Sequence, residues 1–423
     1  MKIAIAGGGI GGLTLALLCH QQGLDVEVWE ASEPLRPLGV GINLLPHAVR
    51  ELSALGLQDD LARIAIETSS LSYFNKFGQQ IWHEPRGRAA GYDWPQFSVH
   101  RGEFQMLLYD TVRARLGVDR VHTGHALESI VDTGGADAPA RFTLRRRADN
   151  AVVEAQADVL VGADGIHSAV RRHFYPTGDA PRFSRRLLWR ATTDVAPYLD
   201  GRSMFMAGHQ DQKFVAYPIS EPLREQGRSR INWIAELRVP DDYPDTPPRS
   251  DWNRQVDKSV FRAAFADWRW SWIDIPALID GAEAIYEFPM VDKDPLPRWT
   301  FGRVTLLGDA AHPMYPIGSN GSAQAIVDAR YLMDCLRDAL SGTGDLDYAL
   351  REYEAERLPR TAGIVLRNRM NGPEQVMQLA EVRAPQGFAC IDDVIPRAEL
   401  EAISQRYKTL AGFGQQQLQA GKS

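Results

Sequence analysis

Cysteine is scarce: Cys19, Cys335 and Cys390 are the only three in 423 residues, and no CxxC pair occurs. Separated thiols build no disulfide framework, so the chain reads as reduced and cytoplasmic rather than secreted. Long apolar runs are missing too. The longest, around Leu13 to Cys19, falls far short of the ~20 residues a membrane span needs. The opening Met1–Ala6 meets glycines where a signal peptide would stay apolar. There is no basic excess either: Lys plus Arg total 47 against 54 Asp plus Glu, a net charge of −7. Such a chain offers no global field for nucleic acid. HExxH and GxSxG are absent, and His122-x-x-His125 lacks the extra ligands of a metal site. What remains is a globular balance, 44% hydrophobic and 24% charged, enough for one large domain or two to three ordinary ones. Nothing in it sets an oligomeric state.

Ile3-Ala4-Ile5-Ala6 predicts a buried parallel strand running into Gly7-Gly8-Gly9-Ile10-Gly11-Gly12 and a helix from Leu13 to Gln22, closed by Gly23. Gly7, Gly9 and Gly12 satisfy GxGxxG in its strand–turn–helix setting. The first glycine makes the turn, the second lets a pyrophosphate approach, and the third lets helix and strand pack. A second strand, Val26–Trp29, ends in Glu30, 18 residues after Gly12 and suited to ribose hydroxyls. This turn alone does not choose between NAD and FAD. No second GxGxxG follows a strand, so one dinucleotide has a dedicated site.

Two later strands end in tight acidic turns: Ala157–Gly162 before Ala163-Asp164-Gly165, and Arg303–Leu307 before Gly308-Asp309. The second leads through Pro316-Ile317-Gly318-Ser319-Asn320-Gly321 into a helix from about Ser322 to Leu340. In this order the three turns resemble the class A FAD-dependent aromatic monooxygenases, the para-hydroxybenzoate and salicylate hydroxylase superfamily. Arg36–Asn43, Ser98–Gln105 and Pro289–Trp299 are similar to its phenazine-modifying branch. The resemblance covers nearly the whole chain and is weakest over the last fifty or so residues. It implies an α/β fold: a Rossmann-like, glutathione-reductase-like FAD-binding domain with an inserted antiparallel β-sheet substrate domain and C-terminal helices. The corresponding boundaries are 1–70, 98–181 and 287–370 for FAD binding, 71–97 and 182–286 for substrate, and 371–423 for a helical tail.

By that resemblance Asp309 holds ribityl or ribose hydroxyls of FAD. Arg101 and Gln105, four apart on one helix face, hold its phosphates and ribityl chain. The Gly321–Ser322 backbone, at a positive helix end, meets the flavin where reduced flavin carries charge. Val40 flanks the ring, Pro316 shapes the place of oxygen transfer, and His312 is structural. Leu127 reads equally as an adenine contact or plain core. Asp164 and Arg171 read as a structural pair. The implied reaction is NAD(P)H-driven hydroxylation of a small aromatic or N-heteroaromatic substrate by O2 through a flavin C4a-hydroperoxide. Decarboxylation follows where a carboxylate occupies the attacked carbon. A flavin-dependent halogenase or reductase and a non-catalytic flavin-binding sensor are the alternatives.

The middle of the chain changes character. Phe214–Pro218 and Ile231–Leu237 alternate as antiparallel strands, with a Pro-rich loop at 241–248. Arg190, Tyr217 and Trp233 are its candidate substrate contacts. Six of the ten tryptophans (Trp189, Trp233, Trp252, Trp268, Trp270 and Trp272) fall here, a hint of an aromatic pocket. Trp268–Pro276 misses the halogenase WxWxIP spacing by one residue and reads instead as an amphipathic helix. Arg145–Arg147 reads as a solvated hairpin edge. The segment Tyr353–Arg360 reads as a charged helix ending near Pro359, and the tail beyond about Gln405 as frayed.

Overall fold

The computed structural model describes residues 1–35, 40–135, 138–245, 254–340 and 345–420. Arg36–Gly39, the end of the Pro-rich loop, Trp252 and the last three residues therefore lie outside the description.

A five-stranded parallel sheet runs in the order Val304–Leu306, Val159–Gly162, Lys2–Ala6, Asp25–Trp29, Val121–His122. Its central strand is buried on both faces, as an unbroken apolar run requires. The helix Ile10–Gln21 leaves Gly9 and is buried from Ile10 to Cys19. It carries no polar stripe because it lies between the sheet and two more helices, Arg101–Leu116 and Gly321–Leu340. Gly11 permits that approach, since a Cβ there would sit 2.7 Å from Leu307.

Beside this layer, His125–Asp132, Ala140–Arg146 and Val152–Ala157 form a three-stranded antiparallel sheet. Arg145 and Arg146 lie at its hairpin end, paired with Glu128 and Asp149.

The second large layer is a seven-stranded sheet: Tyr286–Asp292, Arg182–Val195, Ser229–Arg238, Gln212–Pro218, Met204–His209, Ser70–Phe74, Gln80–Pro85. All neighbours are antiparallel except Met204–His209 with Ser70–Phe74. Alternation gives it two different faces. Leu71, Tyr73, Met204, Met206 and Tyr217 turn toward Tyr315, Ile317 and the C-terminal helices. Trp189, Phe205, Phe214 and Trp233 turn the other way, under Phe261, Phe265, Trp268 and Leu278.

Three local expectations are corrected. Trp268–Ile275 is not a helix: Arg269–Trp270 pairs with Ile273–Asp274, and a helix begins only at Ile275, capped by Asp274. The tryptophans at 268, 270 and 272 have the period of a strand, and their rings form a ladder with spacings of 5.6 and 5.5 Å. The charged helix does not stop at Pro359 but runs from Leu346 to Asn368. Proline removes one N–H from its ladder, and the buried Tyr353, Arg357, Thr361, Ile364 and Val365 hold both halves on the core. The tail is docked rather than frayed. The helix Arg397–Leu410 is followed by buried Phe413 and Leu418, and Phe413 stacks on His47 at 5.4 Å. Its polar composition hides one anchoring apolar residue every few positions.

Candidate active site

The glycine turn has the geometry its spacing predicts. Gly7 has φ +116°, and a Cβ would lie 2.3 Å from the Ala163 carbonyl oxygen; at Gly12 it would lie 2.1 Å from that of Gly7. Neither position admits a side chain. A Cβ at Gly9 would meet nothing, so the turn opens there. No side chain caps the helix that follows, so its first N–H groups and its positive end face that opening. Gly8 is held from both sides: Glu30 Oε2 accepts from its N–H at 2.7 Å, and Gln105 Nε2 donates to its carbonyl at 2.8 Å. Gln105 thus steadies the turn that was expected to receive its ligand.

Arg101 and Asp309 lie along the same opening. Both are exposed, and among the described residues neither side chain has a hydrogen-bond or ion-pair partner. Asp309 is open on one side yet ringed by protein. Desolvation raises its pKa, and the charges of His312 and Arg101 only partly oppose that. Beyond Pro316, which is exposed, the chain passes through Gly318 at φ 70° into the helix at Gly321. A Cβ at Gly321 would also meet nothing. Gly9, Arg101, Asp309 and Gly321 therefore present unpartnered donors and acceptors to one groove. The set suits a phosphate-bearing, polyhydroxylated cofactor.

A buried network beneath this groove was not legible in the sequence. Asp328 Oδ2 accepts from His312 Nε2 at 2.5 Å and from the Gly308 N–H at 3.1 Å, while Oδ1 accepts from Arg357 Nε at 2.6 Å. Burial alone would raise the Asp328 pKa; His312 and Arg357 outweigh it and bring it to about 2. Arg357 also donates to Gln324 at 2.6 Å, and Gln324 to the Ala411 carbonyl. Asn320 donates to the Tyr407 hydroxyl at 3.0 Å. The loop 308–321 is thus tied to both long helices and to the tail. The only available signal was an Asp and an Arg at core-facing helix positions.

On the other side of the groove, the seven-stranded sheet grips Gly41. Tyr217 Oη and Arg190 Nη2 donate to its carbonyl at 2.9 and 3.0 Å, and Asn232 Oδ1 accepts from its N–H at 2.6 Å. Asn232 was missed, because asparagine inside a strand pattern carries no distinguishing mark. Val40 is buried, and its carbonyl accepts from the Arg101 N–H at 2.9 Å. Arg190 and Tyr217 therefore meet at the predicted loop. Trp233 does not. Its side chain points to the opposite face, stacks on Phe214 and donates to Thr193 at 2.9 Å. The error was one of register, since a strand's neighbouring residues face opposite ways. For the same reason Trp189, Trp268, Trp270 and Trp272 pack the far layer and do not line this groove.

Asp164 and Arg171 do not pair with each other. Asp164 accepts from Ser168 and from the N–H of Ala169, closing a short helix, while Arg171 binds Asp179 and the carbonyls of Ala310 and Ala311. Leu127 lies half-buried opposite Leu144. Among the described residues no group of three His, Cys, Asp or Glu side chains could hold a metal ion, and no helix is long and apolar enough to cross a membrane.

Comparison with known proteins adds the context. The family described as FAD binding domain matches residues 1–368. The phenazine 1,6-dicarboxylic acid hydroxylase PhzS of Lysobacter antibioticus is 43% identical over 411 residues, covering 96% of each chain. Salicylate hydroxylase of Pseudomonas putida is 30% identical, over 86% of this chain and 83% of that one. Among solved structures, Klebsiella pneumoniae HpxO complexed with FAD and uric acid superposes with a TM-score of 0.69 at 23% identity, covering 100% of this chain and 95% of that one. That likeness is one of fold.

Proposed function

The chain belongs to the FAD-binding-domain family and is an FAD-dependent monooxygenase; from that premise we propose that it hydroxylates a nitrogen-containing fused aromatic acid, taking electrons from NADH or NADPH and one oxygen atom from O2. The groove carries this reading: an open glycine turn, a free Arg101, a free Asp309 and an open helix end face one space, walled by an antiparallel sheet. The phenazine dicarboxylic acid hydroxylase supports the substrate class.

In this reading Gly7, Gly9, Gly12 and the helix end behind them take the pyrophosphate. Glu30 takes the adenosine ribose, Leu127 lies by the adenine, Arg101 meets the diphosphate, Gln105 fixes the turn and Asp309 binds ribityl hydroxyls. Bound FAD supplies the redox and oxygen-transfer chemistry. The protein's own share is placement and charge. N–H groups of Gly321 and Ser322 favour negative charge on the ring beside them. Pro316 and Val40 give the site its shape, and Arg190, Tyr217 and Asn232 hold the Gly41 edge. The seven-stranded sheet, with residues 71–97 and 182–286, is the substrate lobe and excludes water. Attack at a carbon bearing a carboxylate would release that group as carbon dioxide. The three free thiols fit a reducing cytoplasm.

The test is NADH and NADPH consumption by the purified yellow protein against phenazine, quinolone, salicylate and nicotinate acids. Substrate-stimulated oxidation is expected, with a product heavier by one oxygen atom or, where the attacked carbon bore the carboxylate, one in which hydroxyl replaces that group. No stimulation and no such product across the panel would refute the reading. Asp309→Ala should purify colourless; full yellow colour would remove Asp309 from the cofactor site.

A further inference from the structure

The strand Arg182–Val195 puts one cation beside the cofactor groove without an anion to match it. Arg171, Arg303 and Arg357 are buried, and each is paired with an aspartate. Arg190 is half-buried, and no carboxylate is among the groups that act on it. Its Nη2 donates to the Gly41 carbonyl at 3.0 Å, and its Cζ lies over the Phe288 ring, 5.8 Å from the ring centre. Its Nε is buried and has no hydrogen-bond partner among the described residues. Tyr217 does not supply the missing charge: burial pushes its hydroxyl up to about 12 despite Arg190 beside it, so it stays neutral. Burial pushes the Arg190 pKa down; Tyr217 opposes this, and the like charge of Arg101 adds to it. A guanidinium stays charged even so.

Its place gives that charge a use. The Gly41 carbonyl receives Arg190, and the Val40 carbonyl receives the Arg101 N–H at 2.9 Å. The Val40–Gly41 segment is thus bonded to Arg190 on one side and to the first residue of the helix Arg101–Leu116 on the other. Asp309 does not balance Arg190: of the two arginines, only Arg101 is among the charges that bear on it. An unpaired cation in a low-dielectric place is costly, and the same low dielectric makes its field strong toward any charge that appears nearby. One charge does appear. A hydride from NADH or NADPH brings two electrons and one proton to the flavin. It leaves NAD+ or NADP+ behind, and one negative charge on the ring until a second proton arrives.

Resting on the FAD placement given above, we propose that Arg190 is a positioning residue for charge: its unneutralised guanidinium, bonded to the loop that flanks the ring, stabilises the anionic reduced flavin and raises the reduction potential of the bound cofactor. The helix end at Gly321 contributes partial charges, and Arg190 contributes a whole one. The neighbouring asparagine preserves it. Asn232 lies on the same sheet face, two residues from the position opposite Arg190, and its Nδ2 is buried without a partner. Aspartate has the same shape and would keep the Gly41 bond while cancelling the charge.

The test is a dye-equilibrated redox titration of the FAD-loaded enzyme without substrate. Arg190→Gln keeps a donor for Gly41 and drops the charge. Its affinity for reduced over oxidised FAD should fall roughly 10–100-fold, which lowers the midpoint by about 30–60 mV at ~30 mV per tenfold for two electrons. Arg190→Lys should stay within about twofold of wild type. Asn232→Asp, with Arg190 in place, should fall as Arg190→Gln does. In both lowered variants the reduced flavin should take up its second proton at a higher pH, read from its near-ultraviolet absorbance. A wild-type midpoint in Arg190→Gln overturns the proposal. So does an Arg190→Lys midpoint as low as that of Arg190→Gln, which would mark a loop anchor. Where Arg190→Gln loses its FAD, Asn232→Asp decides alone, and an unmoved midpoint there is refutation. Substrate-stimulated turnover with unmoved midpoints would leave the monooxygenase reading intact and remove only this role, whereas a wild type that binds no FAD would overturn both.

Discussion

Asp328→Asn is the most telling perturbation of the flavin-side loop. The carboxylate accepts from three donors, Arg357 and His312 side chains and the Gly308 N–H. Asparagine keeps the shape but can accept through only one atom, so its NH2 group must face a donor on one side. It also leaves the Arg357 guanidinium, 6% exposed, without its counter-ion. Removing one partner of a buried pair costs about 3–5 kcal/mol. Unfolding entropy near 2 cal/mol/K per residue over this length turns that into a fall in melting temperature of about 3–6 °C. Because Asp328 holds the Gly308 N–H, the turn presenting Asp309 should loosen too, and FAD affinity should fall with stability. Thermal melting followed by flavin fluorescence, with the 450 to 280 nm absorbance ratio of the purified protein, reads both effects. Asp328→Asn/Arg357→Met should recover part of the loss, since the stranded charge is gone. A single variant that melts within a degree of wild type and keeps its FAD would refute the view that this network supports the cofactor loop.

Gly12→Ala and Gly9→Ala should part company. The first drives a Cβ to 2.1 Å from the Gly7 oxygen and should yield little folded protein, whereas the second meets no protein atom and should give a folded chain with weakened FAD; equal behaviour in circular dichroism and flavin content would count against the assigned turn. Trp233→Ala should cost about 3–5 kcal/mol of stability while leaving substrate KM within about twofold, because the indole packs the far face; a large KM effect at unchanged stability would restore it to the substrate site. Glu84 has its pKa held at about 2 against an ordinary 4.5. Its stabilisation is therefore complete above about pH 4.5 and lost as pH falls toward 2, roughly 3 kcal/mol in all. Denaturant midpoints at pH 6 and pH 3 should differ less in Glu84→Gln than in wild type, and an unchanged difference would disprove the ion-pair assignment.

What could be read from sequence was local. Gly7, Gly9, Gly12 and the strand before them declare a phosphate turn because the constraint is steric and lies within a dozen residues. The Gly308-Asp309 turn is legible for the same reason, and the alternation of Phe214–Pro218 names a strand without its neighbours. Which face a strand turns inward, and what covers it, is decided by pairing with distant segments. Hence Trp233 was expected in the groove while its neighbour Asn232 holds Gly41. Hence also Trp268–Trp272 was read as a helix although its aromatic period was two. Tertiary packing carried the helix through Pro359 and docked a polar tail whose Tyr407 reaches Asn320. It also joined Asp328 to Arg357, and Glu84 to Lys408, 324 residues apart. The scarcity of cysteine and of basic excess bounded the class of protein from the start. The charges that matter are few and most are buried and paired across the fold, and only folding sets which, at Arg101 and Asp309, remain free among the described residues to meet a ligand.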